Sequence, residues 1–216
     1  MFMNFSLLII GSLSWFAVFL TERIIYPNYI ELSDNDCLRV KCLRPVAHSI
    51  LATLLSVISL ITNNIIFTNA LFICSSGYFI SDLFVVIKKR DYQFLIHHLV
   101  ALSAIYIAVN DPLSVKLVTY CLFTEFSTPF LYRWKLARQF NNILEEYRYL
   151  IEFGCIFWVV RPIGLLSILA YHLMIEPLQF EYVILSYLLF IAILILNIGW
   201  GIGICVLAKK YKIKNI

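Results

Sequence analysis

Long apolar blocks alternate with short polar interruptions along almost the whole chain. Seven stand out, over residues 5–20, 45–61, 65–87, 94–109, 113–131, 150–175 and 182–207. Most lie close to the roughly 17–25 residues that a helix needs to cross the hydrocarbon core. They are continuously apolar rather than alternating, so they predict helices and not barrel strands. Blocks two and three are separated only by Thr62-Asn63-Asn64, which predicts a tight helical hairpin. The pattern defines an all-α fold, a polytopic membrane helical bundle of about seven transmembrane helices.

Composition agrees with this reading, since the 216 residues are 62% hydrophobic and only 14% charged, too few charges to coat a soluble domain. The net charge of +4 does not call for nucleic acid, because the placement of the basic residues explains it. Of the 17 Lys and Arg, all but Lys116 and Arg161 fall in the segments that follow blocks one, three, five and seven. The positive-inside rule assigns those segments to the cytosol, with the N-terminus lumenal and the C-terminus cytosolic. Block one lacks a basic leader and an A-x-A-like cleavage site, so it is read as a retained anchor. The segment 132–149, carrying Arg133, Lys135, Arg138 and Arg148, is read as a solvated or headgroup-contacting connector. Cys37 and Cys42 fall in a loop assigned to the reducing side, and no disulfide framework is expected. The tail Lys212-Ile213-Lys214-Asn215-Ile216 resembles a lysine-based retrieval signal of the endoplasmic reticulum. It is equally what the positive-inside rule places after a final span.

Ionisable residues inside lipid are expensive, and this chain places several at one level. Asp82 lies six residues before Lys88, and His97 six beyond Asp91, each about 9 Å into its helix at 1.5 Å per residue. Glu125 lies eight residues, about 12 Å, before Arg133. The level is the cytosolic half of the bilayer. Arg161 is deeper and precedes Pro162, which frees a carbonyl and bends its helix. His48, four residues from Arg44, is expected at the interface. Asp82 and Glu125 are read either as site carboxylates or as structural ones paired with Arg161 or capped by hydroxyls.

The adjacent pair His97-His98 is the main candidate site. His97, Ala101, Ala104 and Ala108 share one helical face, which points His97 into the bundle and lets neighbouring helices approach. His98 is turned from it by about 100°. His97 is therefore expected to be central and His98 supporting, with Glu125 and Asp82 as carboxylate partners. Imidazole there can act as a base or accept an acyl group, and a carboxylate can orient it. Adjacent histidines diverge and one metal ion usually takes an i, i+4 pair, so no metal is expected. The chain shows no nucleophile elbow, H-E-x-x-H or nucleotide-binding glycine loop.

Three separated elements resemble the TLC-domain family, which includes the ceramide synthases. They are Gly77-Tyr78-Phe79-Ile80-Ser81-Asp82-Leu83, the run from Lys89 to Leu102 with its histidine pair, and Thr124-Glu125-Phe126-Ser127-Thr128-Pro129-Phe130. The resemblance implies a TLC domain over 40–210, after an N-terminal anchor and loop over 1–39 and before a tail over 211–216. It implies a core of six helices around a cavity, residence in the endoplasmic reticulum and a role in lipid metabolism. Membrane lipids are the implied partners. No cofactor is implied, although acyl-CoA would serve as co-substrate and a sphingoid base as acceptor if the chain acts as a ceramide-synthase-like acyltransferase. Ceramide synthases carry an H-D-x-S-D element where this chain has Thr124 to Thr128, so Glu125 matches the first carboxylate and Thr128 replaces the second. That departure is closer to the small members that are not ceramide synthases. Three functions follow as alternatives: lipid binding or lipid homeostasis, acyl-CoA-dependent N-acyl transfer, and a membrane trafficking receptor.

Overall fold

The structure, a computed structural model, describes residues 10, 11, 13–18, 20, 21, 38–139, 143–175 and 182–214. The first expected span and the tail therefore lie partly outside the described residues. The helices are α1 (Leu38–Thr62), α2 (Ile65–Lys89), α3 (Tyr92–Asn110), α4 (Pro112–Phe123), α5 (Thr128–Gln139), α6 (Ile143–Trp158), α7 (Gly164–Ile175) and α8 (Tyr182–Lys214). A 3-10 turn, Thr124–Ser127, joins α4 to α5, and a π-turn, Val159–Ile163, joins α6 to α7. Five helices among the described residues are long and apolar enough to cross a membrane: Cys42–Thr62, Ile65–Lys89, Tyr92–Asn110, Ile143–Tyr171 and Tyr187–Tyr211.

Local chemistry sets the ends that position the site. The α1–α2 hairpin turns at Asn63, whose φ is 51°, and the Asn64 side chain caps α2 by accepting from the Ile66 amide. At the other end of α2, Arg90 takes the left-handed conformation and its amide bonds back to the helix. Lys88 and Lys89 sit in the last turn of α2, where cations meet the negative end of the helix dipole. Asp91 then caps α3, its carboxylate accepting from the Phe94 amide. This corner carries His97 and His98 into α3 within two turns of the basic end.

Around the bundle α1 packs on α2, α2 on α3, α3 on α8, α8 on α6, α6 on α5, and α5 back on α1, while α4 lies inside against α1 and α3. One apolar cluster, including Leu71, Phe72, Ile105 and Val118, joins α1 to α4. A second, with Leu117, Leu165, Phe190 and Ile193, joins α4, α7 and α8. The outward faces stay apolar, as at Leu54, Ile61 and Leu188, which suits a lipid surround.

Three expectations change. Block five is not one continuous α-helix but is divided at Thr124–Ser127. There the Thr124 and Ser127 hydroxyls bond to the carbonyls of Cys121 and Thr124, and Pro129 has no N–H to continue the ladder. The connector expected over 132–149 is helical up to Gln139 and again from Ile143, with Trp134 and Glu146 buried. Arg133 pairs with Glu152 and Arg138 with Glu146 across the two helices, while both arginine side chains stay more than half exposed, as a solvated or headgroup-contacting segment requires. Arg44, expected in a loop, lies inside α1 and is buried.

The described N-terminal residues are helical and cross α2 at a pair of glycines. A Cβ on Gly77 would meet the backbone of Gly11, and one on Gly11 would meet Ile73. Trp15 meanwhile reaches the rings of His48 and Tyr78. By contrast, a Cβ on Gly199 would meet nothing within 4 Å. Gly77→Ala is therefore expected to cost about 1–3 kcal/mol through overpacking. Gly199→Ala should be neutral or stabilise the helix by up to about 1 kcal/mol. Thermal unfolding of the two variants in detergent separates them, and equal effects would contradict the close approach.

Candidate functional site

Two networks of buried ionisable groups meet at α3. The first joins α1, α2 and α3. Asp82 accepts from Nη2 of Arg44 at 2.6 Å through one oxygen and from Nε2–H of His98 at 2.9 Å through the other. Because a carboxylate only accepts, this contact puts the proton of His98 on Nε2. Arg44 and His98 are almost completely buried. Beside them His48 stacks on Tyr78 with ring centres 4.0 Å apart, and its Nε2 lies 3.2 Å from the Ser75 hydroxyl. His48 is fully buried, which corrects its expected place at the interface. The reason is long-range: Tyr78 and Ser75 on α2 supply the stacking face and the hydroxyl.

The second network joins α3, the 3-10 turn, the π-turn and α8. Arg161 is held by every arm of its guanidinium. Nε donates to the Ser127 hydroxyl at 2.7 Å, Nη1 to Oδ1 of Asn197 at 3.2 Å, and Nη2 to Glu125 at 3.4 Å and Thr128 at 3.3 Å. The Thr128 hydroxyl donates to the other oxygen of Glu125 at 2.8 Å. Nε2 of His97 stands 3.9 Å from Glu125, too far for a direct hydrogen bond. Nδ1 of His97 is buried with no hydrogen-bond partner among the described residues.

The sequence thus brings all four candidates into the bundle but assigns them to different partners. His97 and Glu125 line a cavity of about 20 Å³ together with Phe79, Ala101 and Thr124. That space takes about one water molecule. His98 and Asp82 are not among its lining residues. The alanine face of α3 behaves as its spacing predicts, since Ala101, Ala104 and Ala108 are all buried with His97. Among the described residues no three His, Cys, Asp or Glu side chains cluster in a way that could hold a metal ion.

Sequence reasoning missed three participants. Arg44 was hidden among the basic residues of its segment, although it sits four residues before His48 on the same helical face. Asn197 was one polar residue in a long apolar stretch, and in lipid such a residue needs a partner. Trp200 gave no signal, yet its ring centre lies 5.4 Å from that of His97.

Helices that cross the membrane around buried acid–base networks define a multi-pass membrane protein. The family model for the TLC domain matches residues 45–206, and the chain belongs to the TLC-domain family, whose members are membrane proteins with lipid-related roles. No curated protein and no solved structure matches the chain.

Removing Arg161 alone leaves Glu125 charged and uncompensated in the bundle. Arg161→Met should cost about 3–5 kcal/mol, and Arg161→Met combined with Glu125→Gln should cost clearly less than the two changes added. A double-mutant cycle on detergent unfolding measures this coupling, and additive effects would rule the pair out as a unit.

Proposed function

We propose that the protein handles lipid by binding the polar end of a membrane lipid at the His97–Glu125 wall of the cavity. The observation that carries this reading is the state of Glu125. Arg161 and Thr128 engage both of its oxygens, so the carboxylate is held as a charged acceptor facing His97 without being bonded to it. An acceptor with a ring nitrogen 3.9 Å away fits a ligand that supplies its own donor, such as a lipid amine or hydroxyl. Thr128 supports binding over catalysis. Where ceramide synthases have a second carboxylate, this chain has a donor that satisfies the first. The cavity has to widen to accept more than a water-sized group.

The positive-inside pattern supports a lumenal N-terminus, a cytosolic C-terminus and a site in the cytosolic half of the bilayer. Residence in the endoplasmic reticulum is part of this reading, as the resemblance to the TLC-domain family implies. A trafficking receptor would need the segment 132–149 as a partner surface, and no specific observation there favours that reading over a headgroup-contacting segment.

Acyl transfer from acyl-CoA to a sphingoid base is the second reading. What favours it is the 3.9 Å separation of His97 and Glu125 beside a space for one bridging water. His97 would then be the base or acyl acceptor, and Glu125 its orienting partner.

Photoactivatable, clickable analogues of sphingosine and of a fatty acid distinguish these readings in membranes that contain the full chain. Crosslinking of the amine analogue should fall about tenfold in Glu125→Gln, the effect of losing one hydrogen bond to a charged group. Equal crosslinking in the natural chain and this variant would overturn the binding reading. Expression in cells lacking ceramide synthases tests the enzyme: N-acylation that is lost in His97→Ala at equal expression supports it, and no product with any acyl chain removes it.

A further inference from the structure

Of the cysteines among the described residues, only Cys155 on α6 and Cys205 on α8 are exposed. The topology brings these two together. α6 and α8 run in opposite directions along one seam, as their successive contacts show. The Tyr211 hydroxyl donates to Glu146, a Cβ on Gly154 would meet Ile204 at 3.1 Å, and Gly201 lies against the Trp158 ring. Just beyond the end of α6, Arg161 donates to Asn197. Each cysteine follows a contact residue, Gly154 or Ile204, by one position and is therefore turned about 100° from the seam. Because the helices are antiparallel, the two turns carry both side chains to the same side. That side is the lipid surface: Ile151 and Val159 beside Cys155, and Ile202 and Val206 beside Cys205, are all exposed.

Charged neighbours set the depth. Glu152, three residues before Cys155, pairs with Arg133, and the two side chains are 34% and 53% exposed. Charges so exposed in a bilayer protein belong at headgroups or water. From Glu152 to Cys155 the helix rises about 4.5 Å. Lys209 and Lys210 are exposed and begin four residues, about 6 Å, after Cys205. Both thiols therefore lie within about two helical turns of the polar boundary, on its apolar side. The positive-inside rule assigns that end of the bundle to the cytosol. The other described cysteines lack this combination. Cys42 is buried, and Cys121 lines the cavity. Cys74 is half-buried and lies fourteen residues, about 21 Å, before Lys88.

We propose that Cys155 and Cys205 form a paired S-acylation site, where long-chain acyl groups are attached as thioesters and lie in the membrane along the outer face of the α6–α8 seam. Cysteines at the edge of a membrane span are the usual acceptors of this modification. The chemistry exchanges one thioester for another. The Sγ–H bond of the cysteine and the carbonyl–sulfur bond of an acyl-CoA break, a carbonyl–Sγ bond forms, and coenzyme A leaves as a thiol carrying the proton. The new carbonyl stays near headgroup level, while the chain runs past Val159 or Ile202 toward the bilayer centre. A disulfide between the two does not compete. Packed helix axes lie about 8–10 Å apart, and two Cα atoms turned to one side of such a seam stay beyond the roughly 7 Å that a disulfide can bridge. The site is outside the cavity, so the inference is independent of what the cavity binds.

Acyl exchange on the full chain in cell membranes tests this. Free thiols are blocked with N-ethylmaleimide, thioesters are cleaved with neutral hydroxylamine, and each released thiol is tagged with a polyethylene-glycol maleimide that adds one mass step. Cys155→Ala and Cys205→Ala should each remove one step, and the double variant should remove both. Cys42→Ala and Cys74→Ala should remove none. Cys155→Ser and Cys205→Ser, which keep the side-chain size, should match the alanine variants at equal expression. A ladder unchanged in the double variant would overturn the proposal, as would the absence of any hydroxylamine-dependent step in the natural chain. Either result would leave two thiols that serve only as small hydrophobes against lipid.

Discussion

A guanidinium in a bilayer must find all its hydrogen-bond partners within the protein, and Arg161 finds them in four side chains, three from residues 125–128 and one, Asn197, from the last helix. That demand organises the half of the bundle built from α5 to α8. The 3-10 turn presents Glu125 and Ser127, the start of α5 presents Thr128, and α8 closes over them with Asn197. The π-turn around Pro162 carries the arginine itself. The two breaks in regular helix therefore pack against each other, where protein shields their irregular backbone from lipid. Elsewhere the same backbone would expose unsatisfied carbonyls to hydrocarbon.

The apolar clusters act differently. Lipid tails are about as apolar as Leu, so burying Leu71 or Leu165 against other helices gains little hydrophobic free energy. Packing and close approach replace it. The Gly11–Gly77 crossing and the alanine face of α3 provide contact area, while the polar networks provide specificity. The same division keeps the cavity small: the alanines bring helices close enough to shut out all but a water-sized space, and the charged groups decide which helices meet there.

Much of this was legible in the chain. Apolar blocks gave the helices, Thr62-Asn63-Asn64 gave the first hairpin, and the i, i+4 spacing from His97 gave the buried face of α3. These features are local and periodic, so sequence reports them directly. The long-range pairings were hidden. Arg44 reads as one more basic residue beside a membrane, and only Asp82 on the next helix makes it an interior group. His48 looked interfacial because its burial depends on Tyr78, thirty residues away. Thr128 was read as a missing acid, whereas its hydroxyl donates to Glu125 a hydrogen bond that an ionised carboxylate could not. The link from Gln93 to Trp200 spans most of the domain and leaves no periodic trace.

His97 and His98 are neighbours in sequence but belong to opposite networks, one facing Glu125 and Arg161, the other tied to Asp82 and Arg44. A helix in lipid can spin about its own axis at little cost, since one apolar face suits the solvent as well as another. α3 cannot. The two rings are set about 100° apart, and only His98 is bonded to its acceptor, whereas His97 faces Glu125 across 3.9 Å. The bond from His98 to Asp82 thus acts as a peg that holds the azimuth of α3, and that azimuth keeps the His97 ring turned toward Glu125 while leaving it unbonded.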